Sequence, residues 1–229
     1  MSLAADARIV WRMLRGASRS GKHVERLQRF YAPQADGYDA FRERLLHGRR
    51  DLIERLPAGP GSRVIELGCG TARTLEFFGE RLATFESVEA VDLCPALLTV
   101  AQRRVRNWRN VSLIEADVTE YRPASEPDCV YFCYALTMVP NWRRAIDNAI
   151  AMLKPGGVLG VVDFHLPAGN IFNALWRAWF QHDGVWLSAL HLPYLRNRLE
   201  TVACEQRRGA VPYLPAVRAP YYLFVGRKA

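Results

Sequence analysis

Val64-Ile65-Glu66-Leu67-Gly68-Cys69-Gly70-Thr71 is the stretch on which the fold turns. Its first four residues form a short, mostly apolar run that reads as a buried strand. The glycines then force a turn, and a helix is expected from about Thr71. Gly68 and Gly70 lack Cβ, so the turn is tight and a ligand can approach the backbone closely. The start of the following helix offers free N–H groups to an anion. Two glycines alone also fit an ordinary strand-to-helix turn, so the weight falls on what comes after them. Asp92 ends the second expected strand, where a carboxylate accepts hydrogen bonds from both hydroxyls of a ribose. Asp117 follows the third strand and is placed to receive an adenine amino group. Either aspartate alone also fits a cap. All of them falling after successive strands, in order, makes a cofactor site.

Outward from this stretch the chain alternates. Strands are expected at residues 63–67, 87–93, 111–115, 128–134 and 158–164, with helices at 71–82, 95–105 and 142–153. Such alternation means a doubly wound α/β fold, a mostly parallel sheet covered on both faces. Before it, apolar spacing predicts one helix over residues 38–56, ended by Pro57, Gly59, Pro60 and Gly61. After it, residues 166–200 are rich in Trp, Phe and Leu and read as a helical cap. Two strand candidates, 202–207 and 221–226, come last, with Pro212, Pro215 and Pro220 in their connection. Two late strands with no clear helix between them predict an antiparallel finish. The expected organisation is a basic helical arm at 1–37 and one domain at 38–229.

A dinucleotide fingerprint wants a third glycine where this chain has Arg73. No Gly-Lys-Ser/Thr and no Tyr-x-x-x-Lys occurs. Glu66, the Gly-x-Gly, Asp92 and Asp117 together resemble the class I S-adenosylmethionine-dependent methyltransferases, over roughly residues 63–226. The resemblance implies a seven-stranded sheet with an antiparallel seventh strand, S-adenosyl-L-methionine as cofactor, S-adenosyl-L-homocysteine as product and no metal. It also implies that Glu66, Gly68 and Gly70 line the methionine end, with Cys69 and Thr71 also binding the cofactor. Asp92 and Leu93 would then hold the ribose and pack near the adenine, and Asp117 and Val118 would meet the adenine. Tyr134, just past strand four, would sit near the methyl group.

The loop after strand four, Tyr134 to Pro140, lacks the Asn/Asp-Pro-Pro-aromatic run of nucleobase amino-methyltransferases. It also lacks the paired glutamates of protein arginine methyltransferases, so a nucleic-acid partner is not expected. With residues 38–49, 161–165 and 219–227, that loop resembles the N-methyltransferases of betaine-lipid synthesis. The family resemblance implies three methyl transfers to the amine of diacylglyceryl-homoserine, giving diacylglyceryl-trimethylhomoserine. A protonated amine must shed its proton before it can attack; His165, Tyr38 and Tyr134 are the candidates to accept or relay it. His165 also fits a plain hydrogen bond at the sheet edge. Tyr31, Tyr38 and Tyr134 offer aromatic faces to a growing ammonium charge. Arg42, Met138, Asp163, Trp176, Trp179 and Tyr221 complete the expected substrate site.

Of 31 basic residues all but Lys22, Lys154 and Lys228 are Arg, and the net charge is +8. A balance that basic suits an anionic partner, although an Arg excess this broad also arises from a GC-rich genome. Arg8, Arg12, Arg15, Arg19, Lys22, Arg26 and Arg29 are spaced alternately by four and three, one stripe of a helix. With Trp11 and other apolar residues, the arm reads as an interfacial helix drawn to anionic lipid, or as a solvated face of a lid. Residues 171–186 hold three of the six tryptophans and read as cover for the lipid, or as a core helix. No apolar run is long enough to span a bilayer. Five cysteines without a Cys-x-x-Cys pair favour a reducing compartment. The expected location is therefore cytoplasmic, peripheral to the inner face of the membrane. Two other readings stay open: a phosphatidylethanolamine N-methyltransferase, and a non-catalytic basic membrane-binding module.

Overall fold

The computed structural model describes residues 25, 28–29, 31, 38–167, 169, 171, 173–182 and 185–229. In chain order these form α1 (Tyr38–Leu45), α2 (Arg49–Arg55), β1 (Arg63–Leu67), a 3₁₀ segment (Arg73–Thr84), β2 (Ser87–Asp92), α3 (Pro95–Val105) and β3 (Val111–Glu115). There follow β4 (Cys129–Cys133), a 3₁₀ turn (Leu136–Met138), α4 (Trp142–Met152), β5 (Val158–Phe164), α5 (Asn173–His182), α6 (His191–Arg196), β6 (Glu200–Val211) and β7 (Leu214–Arg227). The seven strands make one sheet in the order β3-β2-β1-β4-β5-β7-β6. β1 to β5 pair in parallel, and β7 runs antiparallel to both β5 and β6. The doubly wound α/β expectation and the antiparallel finish are both met.

The core lies on both faces, as a parallel sheet requires. On β4, Cys129, Tyr131 and Cys133 face one apolar cluster with Leu52, Ile53, Leu75 and Phe78. Val130 and Phe132 face the other, with Ile146, Met152, Leu192 and Leu195. The sequence shows only a continuous apolar run here; the period of two appears once both faces are covered.

Three expectations need correction. The single helix over 38–56 is two, because Gly48 adopts a left-handed φ of 78° and breaks the ladder between α1 and α2. The segment after the glycine turn is 3₁₀ rather than α, with Gly79 non-helical inside it. Pro215 and Pro220 are not in a loop but within β7, which is much longer than expected. Pro220 lies one residue past the last β5 register pair, Phe164–Tyr221, where its carbonyl still accepts from His165 N and only its own missing N–H is lost to the ladder.

Candidate cofactor and substrate site

Chain direction across the sheet reverses between β1 and β4, and the carboxyl ends of these strands open onto a crevice, where open α/β sheets bind ligands. A cavity of about 270 Å³ lies there. Its floor is the turn after β1. Gly68, Gly70 and Ala72 all take left-handed φ, of 76°, 56° and 56°. A Cβ on Gly68 would stand 2.4 Å from the Ala135 Cβ, so this glycine is required by the loop after β4 rather than by a ligand. At Gly70 only the left-handed φ calls for glycine.

The acidic groups are built in rather than merely present. Asp92 accepts from Gly70 N at 2.7 Å and from Cys94 N at 2.8 Å, tying the glycine turn to the end of β2. Burial pushes its carboxyl up, against the backbone donors that hold it ionised. Glu66 is fully buried and accepts from the Tyr131 hydroxyl at 3.1 Å; burial pushes it up to about 8, opposed by Tyr131, Thr74 and Arg49. Asp117 accepts from Thr119 N at 2.8 Å. Both aspartates thus do cap turns, and both still border the cavity.

Of the sequence-derived residues, Tyr31, Glu66, Gly68, Cys69, Gly70, Thr71, Asp92, Leu93, Asp117, Val118, Tyr134 and Met138 line this one cavity. Tyr31 arrives with Gln28, whose side-chain oxygen accepts from Ala96 N at 3.1 Å at the start of α3. Tyr134 has a left-handed φ of 55°, and its hydroxyl donates to the His47 carbonyl at 2.7 Å. Burial pushes that hydroxyl far above its ordinary range, so Tyr134 keeps its proton and is no acceptor.

Other candidates fall elsewhere. His165 is not brought to the cavity: it shares the far face of β5 with Asp163, bonds Gln206 at 3.0 Å and packs on Tyr222. Burial lowers its pKa. Asp163 accepts from the Thr137 hydroxyl at 2.8 Å and the Thr137 and Phe164 amides, which makes it an anchor for the loop after β4 and not a substrate ligand. Tyr221 packs in the core beside His47, and Trp176 packs on Phe180. Arg42 does not border the cavity. Tyr38 begins α1, but its side chain, that of Trp179 and the whole of Arg8, Trp11, Arg12, Arg15 and Arg19 lie outside the described residues. The sequence reading missed Arg49, Thr74, Leu97 and Asn141, which line the cavity, and used Arg73 only as an argument against pyrophosphate. For Arg49 a signal existed: a basic residue directly after a glycine in the stretch preceding β1.

Residues 38–207 match a family described as "Methyltransferase domain". The chain belongs to that family. The trans-aconitate 2-methyltransferase of Variovorax paradoxus is 30% identical over 54% of this chain and 47% of its own length. The demethylmenaquinone methyltransferase of Tropheryma whipplei is 27% identical over 64% of this chain and 62% of its own. The matched region thus spans 47% and 62% of the length of these two relatives, less than two thirds of either. Among solved structures, the N-methyltransferase NodS from Bradyrhizobium japonicum, with S-adenosyl-L-homocysteine, has a TM-score of 0.65 at 20% identity, covering 91% of this chain and 99% of that one. The [4+2]-cyclase SpnF reaches 0.70 at 16%, covering 93% and 98%. These two show the fold alone, which hosts more than one chemistry.

The domain is an S-adenosylmethionine-dependent methyltransferase domain. The cavity fits that cofactor on its own chemistry. Asp92 and Asp117 offer carboxylates to ribose hydroxyls and an exocyclic amine, Leu97 and Val118 give apolar walls for a base, and guanidiniums and Glu66 stand at the glycine-turn end for a zwitterion. Among the described residues no group of three His, Cys, Asp or Glu could hold a metal ion, and no helix is long and apolar enough to cross a membrane.

Proposed function

We propose that this protein is an S-adenosylmethionine-dependent N-methyltransferase that trimethylates the amine of diacylglyceryl-homoserine at a membrane surface. The observation that carries the lipid reading is the two-sided cap. Its inner residues Phe180, Val185 and Leu187 pack with Tyr134 and Met138 at the cavity. Trp186 N donates to the Thr137 carbonyl at 2.7 Å, which ties the cap to the cavity loop. Its outer side leaves Ile171 86% and Leu175 66% exposed, with Trp186 and Leu190 also exposed. An apolar exterior suits a bilayer better than water. The basic arm carries charge of the sign that anionic lipid attracts, net +5 from seven basic and two acidic residues over 1–30.

The amine reading is supported by the lining. When bound, the cofactor supplies a methyl group on a sulfonium. The chain's part is to align the nucleophile and exclude water, which is where most of the rate gain in such a displacement lies. Among the described residues no histidine or lysine lines the cavity, and Tyr134 is committed as a donor. The tyrosine rings remain as faces toward a quaternary ammonium.

The test is incubation of the purified protein with labelled S-adenosylmethionine and anionic liposomes holding either diacylglyceryl-homoserine or phosphatidylethanolamine, read by lipid mass spectrometry. Three methyl groups on the homoserine lipid alone are expected. Label on phosphatidylethanolamine alone would replace the headgroup, and no label on either would end the lipid reading.

A further inference from the structure

The far end of the β6–β7 hairpin takes no part in the cofactor cavity. β5 stops pairing at Phe164–Tyr221, but β6 and β7 go on through Arg208–Pro220, Gly209–Ala219, Ala210–Arg218 and Val211–Leu214. At about 3.3 Å per residue the hairpin runs roughly 13 Å past the carboxyl edge of β5, the edge on which the cavity opens. One face of it is packed. A Cβ on Gly209 would collide with the His47 ring, and His47 Nε2 bonds the Ala210 carbonyl at 2.9 Å. Val211 and Ala219 share an apolar cluster with Leu45, Phe180 and Val185, so the hairpin and the cap stand side by side. The other face carries Arg208 and Arg218, which point the same way because residues 210 and 218 are opposite and side chains alternate. Both are exposed, and among the described residues neither has a carboxylate partner. No Asp or Glu occurs after Glu205.

Pro212 and Tyr213 make the turn, and Tyr213 takes a left-handed φ of 65°. Proline second and a positive φ third are the type II pattern, which Gly or Asn fills without strain and a bulky ring does not. The ring is nevertheless 52% exposed, and Leu214 beside it 37%. Arg44 Nη1 donates to the Tyr213 hydroxyl at 3.2 Å and its guanidinium lies 5.4 Å from the ring centroid, an exposed contact that orients the ring but offsets little of the strain. A strained aromatic held out in water points to a contact outside the fold. Of the described large apolar side chains that are exposed, all but Val202 lie on this tip or on the cap. We propose that the hairpin tip is a wedge that docks on an anionic bilayer, with Tyr213 and Leu214 in the interfacial layer and Arg208 and Arg218 on lipid phosphates. A ring with an apolar body and a hydroxyl suits that layer, and a guanidinium fork suits a phosphate. A second copy against this face would set like charges together. The wedge rests on the lipid reading above for its purpose, but not for the contact itself.

Flotation of the full chain with vesicles free of homoserine lipid tests this, using phosphatidylcholine alone and phosphatidylcholine mixed with phosphatidylglycerol. The wild type is expected to float with the anionic vesicles. Tyr213→Gly should bind them about fivefold more weakly, the effect of one partly buried side chain. Its melting temperature should stay level or rise, because glycine takes the left-handed φ without strain. Arg208→Gln combined with Arg218→Gln should weaken anionic binding by roughly thirtyfold, the effect of two basic residues near such a surface. Leu214→Ser, which leaves the turn and the charges in place, should weaken it as well. The basic arm is the same in every variant, so its own attraction cancels in these ratios.

Weaker binding at an undiminished melting temperature supports the wedge. Binding equal to the wild type in Tyr213→Gly or in the double variant overturns it. So does a loss seen only in variants whose melting temperature falls, which would make Tyr213 a residue of the fold. A wild type that floats with neither vesicle overturns it too. Failure of the lipid reading looks different: no methyl label on either lipid, with vesicle binding still sensitive to Tyr213, ends the substrate reading and leaves the wedge standing.

Discussion

Gly68 and Glu66 show how tightly single residues are constrained at the cavity floor. Gly68→Ala would add a Cβ 2.4 Å from Ala135 at a φ of 76°, so both space and backbone refuse it. A stability loss of about 2 kcal/mol or more is expected, with S-adenosyl-L-homocysteine affinity reduced at least tenfold; thermal melts and calorimetry measure the two. Glu66 predicts a pH dependence. Its folded pKa of about 8 lies above the ordinary 4.5, so between these values the folded protein holds a proton that the unfolded chain releases. Stability contributed by this group is therefore present at low pH and lost as pH rises through that window. Glu66→Gln should flatten the fall in melting temperature between pH 6 and pH 9. A slope identical to the wild type would show that Glu66 ionises freely in the fold.

Among the elements, the loop from β4 to α4 depends on a residue of β5. Asp163 holds Thr137 by its hydroxyl and amide, and the same loop supplies Ala135, Met138, Val139 and Asn141 to the cavity. Asp163→Ala strands the Thr137 donors in the interior, and a loss of about 1–3 kcal/mol is expected. Ligand affinity should fall with it, and Asp163→Asn, which keeps an acceptor oxygen, should recover part of both. Urea titration and calorimetry on the two variants test this. The strands and the glycine turn were legible in the sequence because each is written in neighbouring residues. The use of Asp163 and His165 was not, because β5 alternates between faces. Which face meets the cavity is set by what packs on each: Tyr134 lies against Phe164 on one, while His165 lies against Tyr222 on the other.

For the whole molecule, the far face of the sheet encloses an unusual group. His191 is fully buried, with neither ring nitrogen bonded among the described residues, beside Trp142, Tyr222, His165 and Arg143. Burial lowers its pKa to about 4, helped by His165 and Arg143. Between about pH 6.5 and pH 4 the unfolded chain takes up a proton that the folded protein does not. Stability from this site is therefore present at neutral pH and lost as pH falls. His191→Leu, which fills the same apolar space, should keep more of its urea midpoint on going from pH 7 to pH 5 than the wild type does. An equal drop in both would remove His191 from the acid response. His165 is lowered in the same direction, so some slope should remain in the variant.

The sequence by itself determined the α/β class, the glycine turn, and the aspartates that follow β2 and β3, because strand period, positive-φ demand and chain order are local properties of the backbone. It pointed equally to Tyr134 and Met138, which follow β4 at the carboxyl edge where ligands bind. Only the tertiary structure decided that Gly68 is needed for Ala135 and that Gly48 splits the first helix. It alone turned His165 away and placed Arg49 and Arg73 together over Phe77. Each of these is a contact between segments far apart in the chain. Such contacts depend on side-chain volume and on which face is covered, and neither is written in the spacing of residues along one element.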